Sequence, residues 1–349
     1  VQSMAHKSRL VEEMMNDLLG VFQVRTSHSL FPLLQPAIGV GSTFEGWSPC
    51  GQDTVYHLLV PLKPPRGHAF HLEMGTAGKM PAESYVRVVP ECTCMGEQCV
   101  KNRPCFVHQP RDPLRRKQNS SILSTLCTDS YLDARKIALW FQNSVSSAWK
   151  KLPQSRRYTL EVLPSRRSCK LQLKNASGRS FLVEMVFGVQ QGDSDIFLSS
   201  QTTEASFTPS TTWAESYAVA ETKFFSHIAK QAPHDTFHLK CLQLCAGILV
   251  GTGFSTYALK TVVMHLLSTT PLAIWNRREF LLRLQDIMRY FQDSVEEKCL
   301  HHFFFGNKNM PKDIILPPAF QEAEPLNLFQ CLVQDPTTHT NALQEFQEL

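Results

Sequence analysis

The sequence has little charge and no strong excess of either sign. Asp, Glu, Lys and Arg make up 19% of its 349 residues, and the formal net charge is only +4. Proteins that coat nucleic acid carry a much larger basic excess, and disordered chains have fewer apolar residues than the 43% found here. We therefore expect a folded chain that binds no nucleic acid specifically. At about 150 residues per domain, its length predicts about two domains.

Long apolar runs and an even cysteine count are also missing. The longest apolar stretch, 241–254, contains a glutamine and three glycines, and it is shorter than the roughly 20 apolar residues that a membrane span needs. The chain has 11 cysteines, so they cannot all pair with one another. Four of them lie in apolar periodic stretches, which favours buried free thiols and a reducing compartment: Cys169, Cys241, Cys245 and Cys299.

The first part of the chain alternates helix and strand patterns. Apolar residues between Leu10 and Phe22 recur at three-to-four spacing and predict an opening amphipathic helix. Residues 54–62 and 68–74 have strand patterns around a Pro- and Gly-rich turn, which predicts a hairpin. The remaining pattern predicts a helix in 131–152 and strands at 158–163, 169–173, 181–190 and 196–199.

The composition changes near residue 202, where Thr, Ser and Pro cluster. Beyond it, the apolar spacing predicts helices at 215–231, 238–250, 256–268 and 279–297. The fold class is therefore α+β. We expect an α/β lobe with the opening helix in residues 1–201 and a helical lobe in residues 202–349.

A small-residue turn at Gly41 and Ser42 is a candidate anion site. Exposed backbone amides at a glycine turn, together with a hydroxyl, can hold a phosphate. The alternative is a tight turn with no ligand, and the sequence leaves both interpretations open.

Carboxylates for a two-metal site are too few in the strand that follows. Such a site needs two acids at alternating positions on one strand face. Asp53 is followed two residues later by Val55, so no second acid is present. Glu184 lies in an otherwise apolar strand and is either a relic of a metal site or a paired strand residue. Glu45 and Glu73 are further candidates for a converging carboxylate.

Two other clusters contain groups that bind ligands. Four thiols and an imidazole fall within one loop, which predicts either a zinc site or free or disulfide-linked cysteines: Cys92, Cys94, Cys99, Cys105 and His108. Basic residues lie mostly in predicted loops without interleaved aromatic residues, which favours solvated positions over a nucleic-acid surface: Arg111, Arg115, Arg116, Lys117, Arg156, Arg157, Arg166 and Arg167. The pair His301 and His302 favours helix-end packing over metal binding.

Several separated motifs occur in order along nearly the whole chain: 39–47 (GVGSTFEGW), 59–65 (LVPLKPP), 238–243 (HLKCLQ), 300–303 (LHHF) with Gly306 and Asn307, and 323–329 (AEPLNLF). Together they resemble the motifs of the inositol trisphosphate receptor-interacting protein-like family. The sequence also resembles the Mab-type nucleotidyltransferase-like proteins, to which the cyclic dinucleotide synthases that sense DNA belong.

The resemblance implies a bilobed nucleotidyltransferase-like fold and assigns roles to single residues. Gly41 and Ser42 match the phosphate-binding turn, and Glu184 matches the third metal carboxylate. Asp53 lies near the first, and the second is absent. In the segment 255–261, Thr256 matches a phosphate-contacting hydroxyl and Tyr257 a nucleobase-stacking ring. Lys260, one turn further along, is a candidate phosphate ligand.

The resemblance also implies where the protein acts and what it binds. We expect a catalytically inactive, cofactor-free interaction module that contacts an inositol trisphosphate receptor or another membrane receptor and modulates calcium release. We expect its single-pass membrane anchor to lie outside this sequence and its globular part to be cytoplasmic. The alternatives are an active nucleotidyltransferase and a non-catalytic sensor of nucleotides or inositol phosphates.

Overall fold

The computed structural model describes residues 2–26, 29–48, 54–75, 83–92, 121–201 and 208–348. Up to residue 216 the elements are α1 (Gln2–Thr26), β1 (Leu33–Leu34), β2 (Ile38–Val40), α2 (Ser42–Glu45), β3 (Val55–Lys63), β4 (His68–Glu73), β5 (Glu83–Pro90), α3 (Ile122–Thr125), β6 (Cys127–Thr128), β7 (Tyr131–Leu132), α4 (Ala134–Trp149), a 3-10 helix (Pro153–Arg156), β8 (Tyr158–Leu163), β9 (Ser168–Asn175), β10 (Ser180–Gln190), β11 (Phe197–Ser199) and β12 (Thr212–Ser216).

The remaining elements are helical. They are α5 (Ala218–Gln231), α6 (His238–Ile248), α7 (Thr256–Thr269), a 3-10 helix (Leu272–Ile274), α8 (Phe280–Glu296), α9 (Pro318–Glu322), α10 (Gln330–Gln334) and α11 (Pro336–Gln347). The four long helices predicted for this part are confirmed. The fold therefore combines helices with a sheet of parallel and antiparallel strands, which agrees with the α+β class predicted from the sequence at this coarse level.

The opening helix packs through the apolar stripe that its sequence shows. Val11, Met15 and Leu18 are fully buried, and the Phe22 ring stacks on the Phe141 ring of α4 at a centroid distance of 4.4 Å. Burial of such a stripe drives packing of an amphipathic helix against a neighbouring layer. The stripe thus joins α1 to the core that α4 and the sheet share.

The centre of the sheet is β10, the longest strand that the structure describes. It pairs in parallel with β3, and antiparallel with β9 and β11 along its other edge. Phe181, Val183, Met185 and Phe187 alternate along β10 and are buried in the core. Because side chains alternate between the two faces of a strand, Glu184 lies on the opposite face.

The predicted hairpin of residues 54–62 and 68–74 is wrong, although both strands exist. β3 pairs with β1 and β2 along one edge and with β10 along the other, so its hydrogen-bonding edges are occupied. β4 pairs instead with β5. The Pro- and Gly-rich segment is therefore a turn between strands that do not pair with each other.

A strand precedes the first helix of the second half, where the sequence predicts helix from residue 215. β12 pairs antiparallel with β11 and with β5, and α5 begins only at Ala218. The Trp213 side chain is completely buried, and its indole Nε1 donates to the carbonyl of Leu132 at 2.9 Å. Strand pairing and the buried Trp213 side chain hold the segment in the sheet.

Chain contacts divide the protein into two units. The first consists of Val1–Phe44 with Asp53–Val219, and the second of Glu45–Gln52 with Ala220–Leu349. The second unit thus takes a short segment from the first half of the chain. The assignment of residues 1–201 and 202–349 as domains stays a prediction. Among the residues that the structure describes, no helix is both long enough and apolar enough to span a bilayer.

An added methyl group should have opposite effects on stability at two glycines of the first unit. In α1, a Cβ on Gly20 meets no atom within 4 Å. Gly20→Ala should raise the free energy of unfolding by about 0.5–1 kcal/mol, since alanine loses less backbone entropy in a helix. A Cβ on Gly39 would overlap the Phe44 ring, so Gly39→Ala should lower the same quantity by about 1–3 kcal/mol. Urea unfolding followed by circular dichroism measures both, and equal stability of the two variants would contradict the packing described here.

Candidate functional site

The turn at Gly41 is a tight turn in the structure. Gly41 has a φ of 79°, a conformation that glycine adopts at little cost, and its carbonyl accepts from the amide of Phe44 at 3.1 Å. Ser42 begins the short helix α2. The neighbouring Thr43 hydroxyl donates to the carbonyl of Val55 at 2.9 Å and ties the turn to β3. Phosphate binding at Gly41 and Ser42 stays a prediction.

Glu184 lies in a row of polar side chains across three strands. The strand register places it opposite His57 of β3 on one side and Lys170 of β9 on the other. The Ser168 hydroxyl donates to Glu184 Oε1 at 2.6 Å. Lys170 Nζ lies 3.9 Å from Oε1, and His57 Nδ1 lies 3.6 Å from Oε2. The carboxylate is buried, and it is held by groups of the protein itself.

The imidazole of His57 does not supply the positive charge in this row. Burial lowers its pKa, and the nearby Lys170 ammonium lowers it further, whereas Glu184 acts in the opposite direction without reversing the shift. His57 is therefore neutral at neutral pH. The compensating charge for Glu184 comes from Lys170, with the Ser168 hydroxyl as its hydrogen-bond donor.

The structure describes two of the other three carboxylates that the sequence offers for a metal site. Asp53 lies outside the described residues. Glu73 accepts from the Tyr131 hydroxyl at 2.9 Å and faces Arg87 at 3.8 Å, while Glu45 belongs to the second unit. Within the described ranges, no three His, Cys, Asp or Glu side chains are placed to hold a metal ion.

The helix α7 places the three predicted ligand-binding residues in different surroundings. Thr256 is the first residue of this helix, and its side chain is exposed. It follows the N-cap Ser255, whose hydroxyl accepts a hydrogen bond from the amide of Ala258. The Tyr257 hydroxyl lies 2.9 Å from His302 Nε2. Lys260 is buried with only 5% of its surface exposed. Their binding of a nucleotide or phosphate stays a prediction.

Lys260 forms a buried charge cluster with two glutamates of the second unit, which we call the Lys260 triad (Glu45, Glu221 and Lys260). Its ammonium donates to Glu45 Oε1 at 2.7 Å and also to Glu221 Oε2. The Trp47 indole donates to the other oxygen of Glu45 at 2.6 Å. The triad therefore connects the segment of Glu45 and Trp47 to α5 and α7.

The charges of the triad stabilise the protonated lysine. Burial alone lowers the pKa of the Lys260 ammonium, but Glu221 and Glu45 outweigh burial and leave this pKa above its usual value. Burial raises the pKa of Glu45 despite the nearby ammonium. Lys260 is thus a cation at neutral pH, and its contribution to stability is lost only as the pH rises through its raised pKa.

The triad is not among the sites expected from the sequence, although the sequence contains a signal for it. Lys260 lies among Leu259, Val262 and Val263 on the buried side of α7, and Glu221 lies among apolar residues of α5. A charge on an apolar helix face requires a buried partner of opposite sign. The pattern does not identify the partner, because Glu45 lies 215 residues from Lys260.

Comparison with known proteins connects these elements to a family. The Mab-21 protein HhH/H2TH-like domain matches residues 248–315, which include α7 and α8. The inositol 1,4,5-trisphosphate receptor-interacting protein-like 1 of Rattus norvegicus is 37% identical over 349 aligned residues, which cover 97% of this chain. The chain is a homologue of the inositol 1,4,5-trisphosphate receptor-interacting protein-like proteins. The resemblance seen in the sequence motifs is thereby confirmed.

The match extends to the receptor-interacting proteins without the "-like" suffix, but it covers only part of each relative. The inositol 1,4,5-trisphosphate receptor-interacting protein of Homo sapiens is 29% identical over 372 aligned residues, which cover 99% of this chain and 67% of that protein. The chain spans 64% of the length of the Rattus norvegicus and Mus musculus "-like 1" proteins.

The structure describes the other features predicted to bind ligands only in part. Cys92 is exposed, and its four predicted companions in a zinc site lie outside the described residues: Cys94, Cys99, Cys105 and His108. The basic residues 111 and 115–117 also lie outside them. Arg167 donates to the carbonyls of Ser200 and Pro209 at 2.6 and 3.0 Å, so its guanidinium is bonded to the main chain of the protein itself.

Removing the cation of the Lys260 triad tests its role in stability. Lys260→Met should lower the free energy of unfolding by about 3–5 kcal/mol, because two buried carboxylates would lose the cation between them. Adding Glu45→Gln and Glu221→Gln should restore part of the loss, since no buried charge remains. Urea unfolding at neutral pH measures these differences.

Lys230→Met is the matched control, because Lys230 is an exposed lysine near the end of α5. Its effect should stay within about 0.5 kcal/mol, as for most surface substitutions. Equal losses in Lys230→Met and Lys260→Met would show that the triad does not contribute as described.

Proposed function

We propose that this chain is a nucleotidyltransferase-like interaction module that binds a membrane receptor and catalyses no nucleotidyl transfer. The partner in this proposal is an inositol 1,4,5-trisphosphate receptor, and the consequence of binding is modulation of calcium release. The proposal is supported by the names of the relatives, which describe proteins that interact with this receptor. It includes a membrane anchor outside this sequence and a cytoplasmic globular part.

The surroundings of Glu184 carry the proposal that the site is inactive. A metal-binding carboxylate must present open oxygen lone pairs to a cation. In this chain one oxygen of Glu184 accepts from Ser168, and Lys170 lies beside it. A divalent cation at this place would have to displace an ammonium of the protein. The absence of a second acid after Asp53 in the sequence points in the same direction.

The Lys260 triad supports the absence of phosphate recognition at Lys260. A lysine that binds a phosphate must have its ammonium accessible to the ligand. Lys260 is buried and donates to two carboxylates, so a bound phosphate would have to compete with both glutamates. This favours the interaction module over a sensor of nucleotides or inositol phosphates that uses this residue.

A bilobed nucleotidyltransferase-like fold with lobes at 1–201 and 202–349 is part of the same proposal. The parallel pairing of β3 with β10 and the match of residues 248–315 to the Mab-21 domain support it. An experimental structure of the chain with its partner would test the arrangement of the lobes.

Nucleotide chemistry is tested with the wild-type chain, Glu184→Gln and the control Glu161→Gln. Glu161 is a strand glutamate paired with an exposed lysine, Lys174, so its replacement controls for a lost strand charge. We expect no pyrophosphate release from ATP or GTP with Mg²⁺ or Mn²⁺ in any of the three. We also expect no rise in Tm with nucleotide or inositol phosphate, because a ligand that binds the folded state stabilises it. Pyrophosphate release that disappears only in Glu184→Gln would establish an enzyme, and a Tm rise without turnover would establish a sensor.

Receptor binding is tested by biolayer interferometry between the immobilised chain and detergent-solubilised inositol trisphosphate receptor. We expect saturable binding that Mg²⁺ and ATP do not change. Glu184→Gln should bind as the wild type does, because the proposal places recognition on the surface and not at this buried row. Failure of the folded wild-type chain to bind the receptor would remove the receptor from the proposal and leave the test of catalysis unaffected.

A further inference from the structure

A thiol and an imidazole lie in contact just after α8, in the second unit. Cys299 Sγ is 3.3 Å from His301 Nε2. Cys299 is half-buried and the His301 side chain is exposed. At this distance the imidazole nitrogen can accept the thiol proton, and an adjacent base is the usual means of activating a cysteine nucleophile.

Two hydrogen bonds of the Asn327 side chain fix the backbone around this pair. The amide of Leu300 donates to Asn327 Oδ1 at 3.0 Å, and Asn327 Nδ2 donates to the carbonyl of Lys298 at 2.8 Å. Lys298 has a φ of 55°, which is uncommon outside glycine and reverses the chain directly before Cys299. The segment that carries the thiol is therefore held in one conformation.

The histidine is fixed independently. His265 Nε2 donates to the carbonyl of His301 at 2.8 Å, and the His265 ring stacks on Tyr290 at a centroid distance of 6.2 Å. The amide of the next residue, His302, donates to the carbonyl of Leu326 at 2.7 Å. These bonds hold the main chain of His301 while its imidazole stays exposed, so the contact with Cys299 is preorganised.

Five other described cysteines are in different surroundings. Burial raises the pKa of the thiols of Cys127, Cys169 and Cys241 to about 12 and that of Cys245 to about 11, so these four are inert at neutral pH. Cys331 of α10 is exposed. Cys299, by contrast, is half-buried and has a histidine imidazole beside its thiol.

We propose that Cys299, with His301 as its proton acceptor, is an oxidative modification site that reacts with small hydroperoxides. The sulfur donates an electron pair to the outer oxygen of the peroxide, an S–O bond forms and the O–O bond breaks. The thiol proton passes to His301 and then to the departing oxygen. The products are a cysteine sulfenic acid and water or an alcohol, so sulfur is oxidised by two electrons and the peroxide is reduced by two.

The half-buried sulfur favours a small oxidant over a bulky electrophile. A sulfenic acid at this place would put a new polar oxygen beside His301 on the surface of the region that matches the Mab-21 domain. Since sulfenic acids are reversible, such a change can act as a redox signal on an interaction module. The inference extends beyond the proposed function and does not depend on the receptor as partner.

The test measures sulfenic acid formation at single cysteines of the full chain. Hydrogen peroxide is added with dimedone, which traps sulfenic acids, and peptide mass spectrometry follows Cys299 and Cys331 over time in the same sample. We expect Cys299 to be labelled at least about tenfold faster than Cys331, and His301→Gln to slow Cys299 by about tenfold or more, as for loss of a general base. The rate at Cys331 should not change.

Two controls separate an effect of the base from an effect on folding. His234→Gln removes an exposed histidine elsewhere in the second unit and should leave both rates unchanged. The Tm of His301→Gln should equal that of the wild type, because the bonds that fix its main chain do not involve its imidazole. Equal labelling of Cys299 and Cys331 in the wild type, or an unchanged rate at Cys299 in folded His301→Gln, would overturn the proposal.

Discussion

The ammonium of Lys260 must stay between Glu45 and Glu221, and this constraint determines how the second unit is assembled. Three ionisable side chains are buried there, and any one of them without its partners would cost several kcal/mol. The two hydrogen bonds of the ammonium and the indole of Trp47 satisfy them. As a result, the short segment that begins at Glu45 is fixed to α5 and α7, although it comes from a distant part of the chain.

The row at Glu184 in the first unit follows the same physical rule. An acid on a central strand is tolerated because the register brings Lys170 and His57 to its sides and Ser168 within hydrogen-bond distance. In both clusters, the buried glutamates are thus paired with cations and hydrogen-bond donors of the protein itself. In these two clusters the carboxylates already have partners within the protein, so a divalent cation would have to displace them. This pairing is the structural basis of the proposal that the chain binds a partner and catalyses no nucleotidyl transfer.

The sequence predicts elements more reliably than it predicts their partners. Hydrophobic spacing places α1, α4 and β8–β10 correctly because each buries its own stripe or face, and that periodicity is local. The pairing of β3 is not local. Its partner β10 lies more than 100 residues along the chain, and the nearby β4 looks equally suitable in the sequence. β12 was missed for a similar reason, since its stability comes from pairing with β5 and β11 and from the burial of Trp213.

By itself, the sequence determined the resemblance to a family, the presence of both helices and strands, the long helices of the second half and the shortage of acids near Asp53. These follow from residue identity, spacing and motif order, which are properties of the chain in one dimension. Only the tertiary structure decided that Glu45 and Glu221 share Lys260, that Glu184 faces Lys170, and that His301 contacts Cys299. Such contacts depend on which distant segments meet and on where water is excluded. Burial and distance determine the chemistry of these side chains, and neither quantity can be read from the order of the residues.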